Sequence, residues 1–257
     1  MADAIVSESF SQNDRRYPKK RKGEKMKVPW ISKERIALKA MDLIEAFQVV
    51  AGYRVRPPIP VEDIIERVLG LRLLYEDLEK VFGSNDVLGA TYVESGVICI
   101  NERLFEHSSE GRLVFTCAHE VGHWVLHRRY VYMEETHNSK GGAIVCSLKN
   151  AKAPIEWQAD YFAACLLMPE KEIREAFQKV CGPEPFVINK VRSAVEGEYR
   201  SAEPFVEQWP FIAAAMCESG GFSNVSKQAM IIRLQDLGLL INKTTTRMDW
   251  EALCANA

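Results

Sequence analysis

Phe115-Thr116-Cys117-Ala118-His119-Glu120-Val121-Gly122-His123-Trp124-Val125-Leu126-His127 is the stretch around which the rest of this sequence arranges itself. Its apolar residues Val114, Cys117, Ala118, Val121 and Val125 recur at spacings of three and four, the period of a helix with one face in a core. That helix is expected from about Gly111 to Arg128. Residues four apart on it are separated by about 400°, so His119 and His123 project from one side, about 6 Å apart, and can share one zinc ion. Glu120 stands about 100° round the helix from His119, where its carboxylate can act as a general base without itself binding the metal. The stripe through Val121 and Val125 lies about 200° from His119. The histidine face is therefore expected to look into an open cleft, with the opposite face anchored in the core.

A bare His-Glu-x-x-His run also arises by accident on helix surfaces, and a second segment is what gives it weight. Glu156-Trp157-Gln158-Ala159-Asp160 opens another expected helix, begun at Pro154 and ended by Met168-Pro169, because the residue before a proline is pushed out of the α region. Glu156 offers a third, oxygen ligand, and Asp160, one turn on, can accept the second ring N–H of a histidine ligand. The plainer readings are a helix N-terminal acid favoured by the macrodipole and an ordinary buried salt bridge. Three ligands leave one position for water, the mark of catalytic rather than structural zinc, and a two-histidine, one-carboxylate set also accepts manganese or iron.

His127 continues the row but sits too far along the axis to bind the same ion easily. It reads as a residue lining the cleft or as a plain structural histidine. Tyr130, Tyr132, His137 and Tyr161 are candidates for stabilising an oxyanion by proximity in sequence alone. Cys117 points away from the ligand pair and reads as core.

Upstream, Ser32 is a plausible N-cap for a helix in which Ile36, Leu38, Met41, Leu43, Ile44 and Phe47 crowd one broad face, ended by Gly52 and Pro57-Pro58. A short helix follows in Pro60 to Gly70, opened by Pro60 in its first turn. LRLLYEDL, VLGATYV and GVICIN then read as strands, the last two joined at a hairpin tip, Glu94-Ser95-Gly96. The free edge of Val97 to Asn101 is the expected docking line for an extended substrate. Between 129 and 153, YVYM and AIVCSL are expected as strands around a polar stretch. Beyond Pro169 the pattern is mostly helical, with breaks near Gly182-Pro183, Glu203-Pro204 and Gly220-Gly221, and Val225, Ala229, Ile232, Leu234 and Leu237 form the apolar face of a packing helix.

The 257 residues, 47% apolar and 26% charged, suit one good core with an extension. We divide the chain into a basic, disordered tail at 1–29, a core at 30–170 and a mainly helical region at 171–257. The fold class expected is α+β, a small sheet packed against the histidine-bearing helix. A formal net charge of -2 gives no general attraction to nucleic acid or anionic lipid. The one local exception is the tail, with eight Lys or Arg between Arg15 and Lys27. No apolar run reaches the roughly 18 to 20 residues that cross a bilayer, and the start lacks the order of a secretory signal, so a cytoplasmic protein with no membrane partner is expected. Seven scattered cysteines without a CxxC pair are read as reduced core thiols.

The run INERLFEHSSEGRLVFTCAHEVGHWVLH (100–127) with IEWQADYFAACLLMP (155–169) resembles the ImmA/IrrE family of regulatory zinc metallopeptidases. The resemblance extends to PPIPVEDIIERVLGLRL, GATYVESGVICIN and VSKQAMIIRLQDLGLL, and so covers roughly residues 33 to 241. It implies a zincin-like core with gluzincin-like ligation, His119, His123 and Glu156 on the metal and Glu120 as catalytic acid/base. It also implies a protein substrate, typically a DNA-binding helix-turn-helix repressor whose cleavage releases a stress-response promoter. Unlike some relatives, this chain has no recognisable helix-turn-helix before the core. Two rivals stand beside that reading: a metal-containing module that sequesters a regulator without cutting it, and a nucleic-acid-binding regulator acting through the tail.

Overall fold

The computed structural model describes residues 28–107, 109–138, 143–147, 153–188 and 208–243. The basic run, the break at Glu203-Pro204 and Cys254 lie outside them. Helix α1 (Lys33–Ala51) starts where Ser32 caps it, its hydroxyl accepting from the Arg35 amide, and stops at Gly52, whose φ of 76° is the left-handed turn that releases the chain. Its buried line is Ile36, Ala40, Leu43 and Phe47, a narrower stripe than the sequence suggests, and Leu38 and Met41 are exposed. The following short helix, α2 (Val61–Asp63), passes directly into a π-helical turn over Ile64–Val68, with Pro60 at the N-cap rather than inside the first turn.

Strand β1 (Arg72–Glu76), the short helix α3 (Leu78–Phe82), and strands β2 (Val87–Tyr92) and β3 (Val97–Asn101) follow, then the short α4 (Arg103–His107) and the long α5 (Glu110–Asn138). Strand β4 (Ala143–Ser147) completes a mixed sheet ordered β1-β3-β2-β4, in which β3 runs parallel to β1 and antiparallel to β2, and β2 antiparallel to β4. The hairpin expected at Glu94-Ser95-Gly96 is present. The free edge expected at Val97 to Asn101 is not. β3 is an inner strand with neighbours on both sides, as its wholly buried run Val97 to Asn101 requires, and the sheet's edges are β1 and β4.

Alternation then divides the sheet. Ile98 and Ile100 face the main core with Cys117, Ala118 and Val121 of α5, while Cys99, Ala90 and Tyr92 pack on the other side with Leu78 of α3. Tyr130 to Met133, expected as a strand, instead continues α5. Once the roughly five turns of α5 ahead of Tyr130 are formed, propagation adds one bond per residue and outweighs a local preference for strand. Val131 is buried there against Val93 and Ile144.

Helix α6 (Pro154–Leu167) lies along α5 and ends at Met168, as the proline predicts. Glycine decides how close the two come: a Cβ on Gly122 would sit 3.1 Å from the Ala159 Cα and carbonyl oxygen. The chain continues through α7 (Glu170–Cys181), β5 (Phe186–Ile188), α8 (Trp209–Gly220), α9 (Lys227–Asp236) and β6 (Leu240–Asn242), with β5 and β6 forming a separate parallel pair. The result is an α+β fold with a mostly helical C-terminal part. α9 is a packing helix, but it buries Met230, Ile231, Arg233 and Leu234 and leaves Ile232 exposed. One hydrophobic core runs continuously from Ile36 to Leu240.

Candidate metal centre

The α5–α6 contact contains an unusual density of buried polar side chains: His119, Glu120, His123, His127, Glu156 and Gln158. The open cleft expected in front of the histidine face is therefore absent among the described residues. Glu120, His123 and His127 are fully buried, covered by β2 on one side and α6 on the other. Of the expected site residues, only Asp160 is well exposed, and it lines a groove of about 740 Å³ between the start of α5, α6 and α9.

Buried polar groups need partners, and tracing them fixes the protonation of each ring. Gln158 Nε2 donates to the Pro29 carbonyl oxygen at 3.2 Å, so its Oε1 is the atom 3.2 Å from His127 Nε2, which must carry the proton. His127 Nδ1 is then a lone pair 3.0 Å from His123 Nδ1, which donates to it. His123 Nε2 is left as a lone pair. Independently, Asp160 Oδ1 accepts from His119 Nδ1 at 2.8 Å, leaving His119 Nε2 free to act as a ligand too.

Both free nitrogens meet the Glu156 carboxylate. His119 Nε2 lies 2.9 Å from His123 Nε2 and 3.2 Å from Glu156 Oε2, and His123 Nε2 lies 3.6 Å from the same oxygen. A tetrahedral ion with bonds of 2.0 to 2.2 Å needs ligand atoms about 3.3 to 3.5 Å apart, and these three edges bracket that span. Three acceptors converging in a buried space call for a cation. The electrostatics agree: burial opposes charge on His119, yet Asp160, Cys146 and Glu156 outweigh it and hold the ring well above its ordinary pKa. Burial also opposes ionisation of Glu156, but its hydrogen bonds to His119 and His123 hold it down at about 2. Burial pushes His123 down to about 4 and His127 to about 3, keeping both neutral, as the proton chain requires. A single proton can serve one of the three edges, whereas a divalent ion serves all three vertices.

Glu120 is apart from that triangle. Thr91 Oγ1 on β2 donates to its Oε2 at 2.6 Å, and Oε1 has no hydrogen-bond partner among the described residues. Burial pushes the carboxyl up to about 7, against the opposing pull of His119 and the Thr91 bond. It fits only because β2 has a glycine at the contact: a Cβ on Gly89 would lie 2.4 Å from Oε1. Thr91, Gly89 and Gln158 were not singled out by sequence reasoning. The small Gly89 within a strand of larger residues was the available signal for the first two, and for Gln158 there was none.

The remaining candidates are not gathered here. The Tyr161 hydroxyl donates to Asp236 Oδ2 at 3.0 Å and is turned away from the histidines. Tyr130 is half-buried seven residues beyond His123, about 10 Å along the axis. The side chains of Tyr132 and His137 lie outside the described residues.

Two histidines one turn apart, with a glutamate between them and a second acid from the adjoining helix, form a buried group able to hold a metal ion, of the kind used by metal-dependent peptidases. Residues 66–180 match the family model of the IrrE N-terminal-like domain of M78 peptidases, in line with the resemblance seen in the sequence. That segment contains His119, His123, Glu156, Glu120 and all of strands β1 to β4. No curated protein matches the chain. No helix among the described residues is long and apolar enough to cross a membrane.

Proposed function

We propose that this chain is a zinc-dependent endopeptidase in which His119, His123 and Glu156 hold the metal, Glu120 is the general base and Asp160 orients His119. The observation that carries this is the convergence of His119 Nε2, His123 Nε2 and Glu156 Oε2 in one buried space, beside a buried carboxylate oxygen that has no partner among the described residues. When bound, the ion supplies Lewis acidity to water and to the scissile carbonyl. Thr91 holds one Glu120 oxygen and so presents the other, Oε1, to take a proton from the attacking water and return it to the leaving amine. Exclusion of bulk water strengthens each of these interactions.

An extended substrate has one described sheet edge beside the site, β4, whose Cys146 lies within 4.8 Å of His119 and Glu120. We assign 30–170 as the catalytic unit, with 171–257 bracing α6 through α9. The substrate class we favour is a cytoplasmic DNA-binding repressor of helix-turn-helix type, as the resemblance to ImmA/IrrE proteins implies.

The test is metal content of the parent protein, His123→Ala and Glu120→Gln, with each incubated with repressor proteins and fragments detected by mass spectrometry. About one zinc per chain, lost in His123→Ala and kept in Glu120→Gln, with cleavage by the parent alone, is the expected result. A metal-loaded parent that binds its partner and never cuts it would leave the sequestering module as the better account.

A further inference from the structure

The four-stranded sheet has two edges, and they are finished differently. β4 pairs with β2 through a register shift between Val87 and Gly89, whereas β1 pairs with β3 without interruption from Arg72 to Glu76 and carries no proline, glycine or lysine. Bulges, prolines and lysines are the usual means of keeping an edge from pairing with another chain. None of the five β1 residues is buried, although both faces of the sheet are covered beside it: Leu73 and Tyr75 pack on the main core and Leu74 on the second cluster. The exposure therefore comes from the free edge. Phe105, 55% exposed, rests on the Tyr75 ring at 4.7 Å and adds apolar surface there.

The backbone fixes what that edge offers. The Arg72 amide donates to the Gly96 carbonyl and the Glu76 carbonyl accepts from the Glu102 amide, each at 3.0 Å, so both residues are turned toward β3. Orientation alternates along a strand, and the N–H and C=O groups of Leu73 and Tyr75 face outward. We propose that this chain forms a symmetric dimer in which β1 pairs antiparallel with β1 of a second copy, about a two-fold axis at Leu74. In that register Leu73 meets Tyr75 of the second copy, and these outward-facing residues exchange both backbone hydrogen bonds. Leu74 meets Leu74, and Arg72 meets Glu76, as non-hydrogen-bonded pairs, the kind whose side chains lie closer. The strand is thus complementary in charge to its own reversed sequence, and sliding the register to a neighbouring pairing parts the charges. Burial and the adjacent Glu102 raise the Glu76 carboxyl above its ordinary pKa, so this end of the edge carries acid for a cation to meet. The two-fold axis closes the assembly and leaves β4, the opposite edge, unused.

Sedimentation velocity of the full chain, from about 1 to about 100 μM, is the test, and the parent is expected to pass from monomer to dimer across that range. Arg72→Glu and Glu76→Arg each set like charges opposite one another at both ends of the pairing, and each is expected to raise the dissociation constant about tenfold or more. The double reversal restores the opposition of charge and is expected to return the parent's value. Leu73→Pro removes an outward N–H that the sheet within one chain does not use, and is expected to give a monomer with the parent's circular dichroism. Should that variant fail to fold, the charge reversals test the same pairing without touching the backbone. A parent that stays monomeric throughout overturns the proposal, as does a dimer that survives both single reversals. Single reversals that weaken a dimer which the double reversal does not restore overturn the register, and the proposal with it. None of these outcomes depends on the metal.

Discussion

The α5–α6 pair and the α8–α9 pair are both helix contacts at the centre of this molecule, and they are filled in opposite ways. Between α8 and α9 the buried residues are Trp209, Ala213, Met216, Met230, Ile231 and Leu234, joined by Phe222, and the one buried charge, Arg233, is met by the Met168 carbonyl and Asp236. Between α5 and α6 the chain buries three histidines, two glutamates and a glutamine. Leaving such groups unpaired costs roughly 1–3 kcal/mol each, and an apolar filling of the same volume would be at least as stable. The first pair stabilises the fold, and the second gives up stability for a cluster of groups able to hold a cation.

The two pairs should therefore fail differently. The largest effect is expected for His123→Ala. It removes a vertex of the triangle and strands His127 Nδ1, so metal affinity measured by competition with a chelator should fall by more than about 100-fold, beyond the loss typical of an outer partner. Glu120→Gln should keep the metal and lower turnover by about 10²–10⁴-fold, seen in single-substrate cleavage rates. Trp209→Ala should cost about 3–5 kcal/mol in denaturant unfolding while the folded fraction still binds one ion per chain, and loss of metal from that fraction would erase the contrast between the pairs. Gln158→Leu is the finest cut: it touches no ligand, yet releasing His127 from its tautomer should weaken metal binding about 10–100-fold with Glu156 and both ligand histidines intact.

The grouping of His119, His123 and Glu156 was legible from the sequence because a helix converts spacing into direction. His119 and His123 lie one turn apart by arithmetic alone, and Glu156 follows from the proline that starts α6 at a fixed place. What was not legible depends on tertiary partners. Strands β5 and β6 are three residues each, too short for a period-two pattern, and exist through their mutual pairing. The burial of the histidine face depends on β2 and α6 arriving over it, which no angular argument within α5 can foresee. The inner position of β3 was likewise hidden, since a hairpin fixes one neighbour of a strand, and β1 supplied the other in parallel, with Arg72 opposite Val97 and Glu76 opposite Asn101.

The hydrogen-bond line from His123 through His127 and Gln158 ends on a peptide carbonyl, Pro29, two residues after the basic run, where Trp30 also stacks on Trp157 at 4.8 Å. The far end of the hydrogen-bonded line that fixes the His123 tautomer thus lies just after the basic run. A shift of Pro29 and Trp30 would therefore be felt, through Gln158 and His127, at the ring whose Nε2 faces Glu156.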